Sequence, residues 1–197
     1  MWAVSNANPI GESFDAEAWL GGVPEGCTRL LAWSGTLDDD LFGSGNPMTW
    51  LGPGRAALDG LLAAVTPILR DRGLRLLLRP HCRHVLGDAT TARSFLETLD
   101  PAAPVGVALD IAAVFEPGML RAAADHCRRT FEILGPVAEA VVLTNAEADG
   151  DSVRPTPLDA GALPAPLLLE QYEARCRAGT PIALLDERFL EQRHLLG

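Results

Sequence analysis

Residues Leu74–Asp110 read LRLLLRPHCRHVLGDATTARSFLETLDPAAPVGVALD. Two short apolar runs, Leu74–Leu78 and Val105–Leu109, each end abruptly in a charged residue, Arg79 and Asp110, with one amphipathic stretch between them. A buried run bounded by turn residues and separated from the next by a helix is the pattern of a parallel βαβ unit. In such folds the loops at the carboxyl ends of the strands converge on one opening, and chemistry collects there. Arg79 and Asp110 are therefore the first candidate site residues.

The same alternation extends in both directions. Upstream, Trp2–Val4 reads as a short strand, Asp15–Gly22 as a weak helix and Thr28–Trp33 as a firm strand. A long Gly-, Asp- and Pro-rich loop, SGTLDDDLFGSGNPMTWLGPG, then falls at the strand end where sites form. Arg55–Arg72 places Leu58, Leu61, Leu62, Val65, Ile68 and Leu69 at helical spacing and stops at Gly73, with Pro67 expected to bend or shorten it. Asp88 is a plausible N-cap for a helix over Ala89–Leu99.

Downstream, Pro117 suits the first turn of a helix running to Leu134 with Gly135 as its stop. A strand over Ala138–Leu143 leads to Thr144 and Asn145, and AEADGDSVRPTPLDAGALP reads as a second long loop. The final unit is a helix over Ala165–Ala178, a strand over Pro181–Leu185 and a C-terminal helix from Glu187, capped by Asp186. Six strands alternating with helices predict an α/β fold with a parallel sheet, in a single domain covering residues 1–197.

Composition narrows the function. A net charge of -10 with scattered arginines argues against nucleic acid as a partner. No apolar run approaches the roughly 18 residues of a membrane span, and the N-terminus lacks the basic flank and apolar core of a secretory signal, so a soluble, cytoplasmic protein is expected. Cys27, Cys82, Cys127 and Cys176 are widely spaced without a CxxC pair, as buried reduced thiols are.

The order and wording of the units resemble the xylose isomerase-like TIM barrels, the sugar phosphate isomerase/epimerase group. Family landmarks of the type LxLEPH, VGxxxD, VxHxKD and PLGxGxxD, and a last strand ending in Glu, have as counterparts LLLRPHCR (Leu76–Arg83), VGVALD (Val105–Asp110), AVVLTN (Ala140–Asn145), PLDAGALP (Pro157–Pro164) and PIALLDE (Pro181–Glu187). The likeness runs from about residue 27 to about residue 190 and implies a (β/α) barrel of about six units, without the first two units of a full barrel. An open sheet exposes edges and core, so the resemblance also implies a homo- or hetero-oligomer, or a rearranged N-terminal segment, in place of the missing wall.

The resemblance further implies a divalent metal, Mg²⁺ or Mn²⁺, held by Glu, Asp, His and Glu at four strand ends, with two carboxylates moving a proton. Those four positions fall here on Arg79, Asp110, Val142 and Leu185, and only Asp110 keeps a ligand. Val and Leu cannot ligate, and a guanidinium does not give up its proton. The expectation is a metal-free chain without cofactor, with Mg²⁺ or Mn²⁺ as the alternative; in the metal-free chain Arg79 pairs with Asp110 and takes over the cation's role. The family's second histidine falls on Ala113, and its Lys-Asp pair falls on Thr144 and Asn145.

Two functions follow. One is a binding or scaffold subunit for a sugar-like small molecule, its mouth lined by Arg79, His81, Arg83, Asp110, Asn145 and Trp33. The other is an isomerase- or lyase-type enzyme, completed by a partner chain or using Asp110 and His81 as acid and base. His81 and His84, flanking Cys82 and Arg83, read as a surface or substrate-contacting pair rather than a metal site. His126 and His194 read as structural or solvated. Asp38, Asp39 and Asp40 read as a solvated run, the GSG and GPG stretches as flexible loop, and Trp33, Phe42 and Trp50 as aromatic groups near one opening.

Overall fold

A computed structural model describes residues 1–12, 14–43 and 45–183. Six strands lie parallel in the order β1-β2-β3-β4-β5-β8, and an antiparallel pair, β6-β7, stands apart from them. These are β1 Trp2–Ser5, β2 Arg29–Trp33, β3 Arg75–Arg79, β4 Val105–Asp110, β5 Ala140–Val142, β6 Asn145–Asp149, β7 Ser152–Thr156 and β8 Ile182–Ala183. Helices α1 Ala16–Gly21, α2 Gly52–Asp71, α3 Ala89–Thr98, α4 Ala123–Leu134 and α5 Ala165–Arg175 separate successive strands of the parallel sheet. The architecture is a partial TIM-barrel α/β fold.

The chain forms two compact units, the first over residues 1–107 and the second from Ala108 onward. In the first unit, β2 and β3 are buried on both faces after their first residue, as strands covered on both sides must be. Leu30, Leu31, Leu76, Leu77 and Leu78 are at most 1 % exposed. Helix α1 starts on Asp15, whose Oδ1 accepts from the amides of Glu17 and Ala18. Helix α3 starts on Asp88, which accepts from Thr91 N at 2.7 Å, as its sequence position predicts.

Helix α2 begins at Gly52, earlier than Arg55, and runs through Pro67 to Asp71, so the proline does not shorten it. Its apolar face, Leu58, Leu61, Leu62, Val65 and Leu69, is buried. The Arg72 guanidinium donates to the carbonyls of Leu20 and Val23, satisfying acceptors at the end of α1. Arg75 bridges the start of β3 and the entry to β4 through Ala103 O and Val105 O, both at 3.1 Å.

In the second unit, a 3₁₀ segment at Pro117–Ala122 precedes α4, where the sequence predicts one continuous helix; Gly135 caps its end. The stretch after Asn145 corrects the sequence reading more substantially. It is a hairpin, not a loop, with Asn145 opposite Thr156 and Asp149 opposite Ser152. Gly150-Asp151 is the turn, and Gly150 takes a left-handed φ of 59° that suits glycine. Leu185, Asp186, the helix from Glu187 and His194 lie outside the described residues.

Candidate functional site

The carboxyl ends of β2 and β3 build a cluster within the first unit. Trp33 and Arg79 are register partners, the last pair of the β2-β3 ladder. The Arg79 guanidinium carbon lies 3.6 Å from the Trp33 ring centroid. Arg79 is 6 % exposed and Trp33 7 %, so this cation–π contact is largely desolvated. The register makes the contact: side chains of paired residues on adjacent strands stand on the same face.

Beyond Arg79 the chain turns sharply through Pro80-His81-Cys82-Arg83-His84. His84 N donates to His81 O at 2.8 Å, and His81 N donates to Leu86 O at 3.0 Å. The turn folds both imidazoles against Trp33, each ring 5.5 Å away edge to face, and the two imidazoles are 4.6 Å apart. Phe42, from the β2-α2 loop, closes the group at 5.2 Å from Trp33 and stacks on His84 at 5.9 Å.

Hydrogen bonds define both tautomers. His84 Nε2 lies 2.8 Å from Leu41 O; a carbonyl only accepts, so the proton sits on Nε2 and Nδ1 is a bare lone pair. His81 Nδ1 accepts from Arg83 N at 3.2 Å, which leaves the proton on Nε2. Burial pushes His81 down to about 3, helped by His84 and by the positive charges of Arg83 and Arg79. Burial likewise lowers His84 to about 4, against the Leu41 hydrogen bond and with Arg79's help. Both rings are neutral at pH 7.

The pair read from the sequence as surface or substrate-contacting divides by exposure. His81 is partly exposed, but His84 is completely buried. Among the described residues its Nδ1 has no hydrogen-bond partner, and neither has the Trp33 indole Nε1. An unpaired buried polar atom typically costs about 1–3 kcal/mol, so two in one cluster are conspicuous.

The long loop after β2 is ordered by its own polar side chains. Thr49 Oγ1 meets Thr36 Oγ1 at 3.1 Å and accepts from Leu37 N at 3.0 Å, and Asn46 Nδ2 donates to Leu37 O. Arg83 Nη1 donates to Phe42 O and Gly43 O, both at 2.6 Å. Asp38 is part of this order, since its Oδ2 accepts from Gly45 N, while Asp39 and Asp40 are exposed. Trp50 is 47 % exposed and contacts none of these rings, but it lies close to Gly45 and Gly87.

In the second unit, Asp110 ends β4 at 3 % exposure and Asn145 begins β6 at 1 %. The Asn145 side chain uses both ends: Nδ2 donates to Leu158 O and Leu163 O, and Oδ1 accepts from Ala146 N and Leu163 N. It fastens the segment after the hairpin. Gly161, with φ 110°, sits where a Cβ would lie 2.7 Å from Asn145 Oδ1 and from Ala146 O. Thr144 Oγ1, buried beside it in sequence, has no partner among the described residues.

The chain matches solved structures over most of its length. A xylose isomerase-like TIM barrel protein from Mycobacterium smegmatis, in complex with magnesium, is 15 % identical and covers 87 % of this chain at a TM-score of 0.55. A xylose isomerase domain protein from Planctomyces limnophilus is 14 % identical over 87 % of it at 0.52. The fold is that of the xylose isomerase-like TIM barrels, in part. A mannonate dehydratase from Streptococcus suis serotype 2 shares it at 11 % identity and a TM-score of 0.51 over 87 % of the chain. This chain spans 61 %, 57 % and 66 % of those three proteins. No family model matches the sequence, and no curated protein does.

Two of the landmark positions, Arg79 and Val142, do not suit a divalent ion, while Asp110 keeps a carboxylate. Arg79 brings a guanidinium and Val142, 1 % exposed, brings an isopropyl group, so neither has an atom to donate. Among the described residues, no three His, Cys, Asp or Glu side chains are grouped to hold a metal. No helix among them is long and apolar enough to cross a membrane.

Proposed function

We propose that this chain is a diverged sugar phosphate isomerase/epimerase-like protein that binds a sugar-like small molecule without a metal, as a binding or scaffold subunit of an oligomer. The observation that carries the reading is the placement of Arg79: a buried guanidinium fixed against Trp33 at the end of β3. It supplies a permanent positive charge at the strand end where the family resemblance puts a metal-ligating glutamate. A guanidinium donates hydrogen bonds to the oxygens of a ligand, whereas chemistry through a metal needs an oxygen ligand at that position.

His81 supports binding over acid/base work. Its Nδ1 is taken by Arg83 N and its conjugate acid is too strong to persist at pH 7, so what it offers a ligand is the Nε2 proton as a hydrogen-bond donor. Arg83 and Trp33 border the same cluster. Asp110 and Asn145, the other residues inferred from the sequence, lie in the second unit, where Asn145 acts through the segment it fastens.

Calorimetric titration with a panel of aldoses, ketoses and their phosphates, with and without Mn²⁺, tests the reading together with metal analysis of the purified chain. Saturable binding that is indifferent to Mn²⁺ is expected. Stoichiometric bound metal, or isomerisation that requires Mn²⁺, overturns it.

A further inference from the structure

Trp33 and His84 hold complementary orphans. Among the described residues the indole Nε1 is a donor without an acceptor, and the imidazole Nδ1 is an acceptor without a donor. Their rings are 5.5 Å apart, and the residues are 7 % and 0 % exposed. The Leu41 carbonyl holds the His84 proton on Nε2, so Nδ1 cannot supply its own hydrogen. A hydroxyl group meets both needs, since its oxygen accepts from the indole and its proton goes to the imidazole; a vicinal diol does so with one oxygen for each.

Phe42 covers the pair. Its loop is tied at the base by Thr36, Leu37, Asn46 and Thr49, whereas its tip is held from outside: the carbonyls of Leu41, Phe42 and Gly43 are gripped by His84 and Arg83. Three consecutive carbonyls held by two side chains of one turn form a latch. Phe42 itself is 44 % exposed, so lifting it uncovers little apolar surface beyond the cluster.

We propose that Trp33 and His84 form a hydroxyl-recognition subsite beneath Phe42, entered when the tip at residues 41–43 is released from Arg83. This subsite rests on the small-molecule reading above and specifies a neutral polyol segment as the part of the ligand it takes. Arg79 occupies a face of Trp33, which leaves the indole edge, where Nε1 lies, as the binding element.

Erythritol, a neutral vicinal polyol, is the probe, followed through the ¹⁵N signal of the bare His84 Nδ1 in the whole chain. A saturable upfield movement in the wild type is expected, with affinity reduced about tenfold in Trp33→Phe, which removes the indole proton. Arg83→Ala is expected to speed chymotryptic cleavage after Phe42 several-fold, and erythritol to slow that cleavage in the wild type. An unmoved or unsaturable His84 signal overturns the subsite, and this readout needs no variant. Equal affinity in Trp33→Phe also overturns it, and unchanged cleavage in Arg83→Ala overturns the latch. Saturable sugar binding by calorimetry with a silent His84 signal removes the subsite and leaves the proposed function standing.

Discussion

Trp33 and Arg79 face each other across the last rung of the β2-β3 ladder, with the guanidinium carbon 3.6 Å from the ring centroid. Ser34 N donates to Arg79 O at 3.1 Å, so the backbone pairing continues just past the contact and holds both side chains in register. A planar, weakly hydrated cation stacks on an indole in a way that an ammonium cannot reproduce. Arg79→Lys is therefore expected to lower unfolding free energy by about 1–2 kcal/mol, within the range of a desolvated cation–π contact plus lost packing. Urea unfolding measures it, and a lysine variant as stable as the wild type refutes the contact's contribution.

Asn145 is fully used on both sides of its amide. Replacing it by Asp keeps the shape and the two acceptor contacts, but sets an oxygen against the carbonyls of Leu158 and Leu163 in place of the donating nitrogen. Asn145→Asp is expected to cost about 2–4 kcal/mol at pH 7, the scale of leaving buried polar groups opposed and unpaired. The loss should be accompanied by faster amide exchange at Ala146 and Leu163, both of which donate to its Oδ1. Exchange unchanged at those two amides would separate the side chain from the segment it is argued to fasten.

His81 and His84 make stability depend on pH in a definite direction. Both are neutral when folded, with pKa values lowered from 6.5 to about 3 and about 4. Above pH 6.5 neither state binds a proton there and the protein is unaffected. As pH falls below 6.5 the unfolded chain protonates first, so stability declines from 6.5 down to about 4, by about 3 kcal/mol for the buried His84. His84→Phe should flatten this decline between pH 6 and 4 in denaturant titrations. An equally steep decline in the variant would show that other groups cause it.

How much of this was legible beforehand differs between strands and site. Strands such as Leu74–Leu78 announce themselves by unbroken aliphatic runs, and Asp88 by its place before a helical stripe. The hairpin β6-β7 is hidden because its strands, NAEAD and SVRPT, are short and polar, and the burial that orders it comes from Asn145 and Gly161, whose partners lie far along the chain. The Gly150-Asp151 dipeptide was the available signal. Arg79, as the residue ending a strand, was visible; the burial of His84 was not, since it depends on a loop tip some forty residues earlier. Helix α2 passes through Pro67 because tertiary packing of Val65 and Leu69 on either side outweighs the missing amide bond.

Two glycines of α2 offer opposite outcomes from one substitution. At Gly60, exposed in the middle of the helix, an added Cβ meets nothing within 4 Å, so Gly60→Ala should stabilise by about 0.5–1 kcal/mol through reduced freedom of the unfolded chain. At Gly54, in the first turn, the same Cβ would fall 2.0 Å from Thr49 O and 2.6 Å from Thr49 C. Those are backbone atoms and cannot swing aside. Gly54→Ala should therefore push α2 off the 3₁₀ turn at Pro47–Trp50 and cost about 1–3 kcal/mol or more, the range of overpacking. The displaced Thr49 also anchors the base of the loop through Thr36 and Leu37, so chymotryptic cleavage after Phe42 should rise in Gly54→Ala and stay at the wild-type rate in Gly60→Ala. Equal stability of the two variants would mean that the helix start is not seated on Thr49.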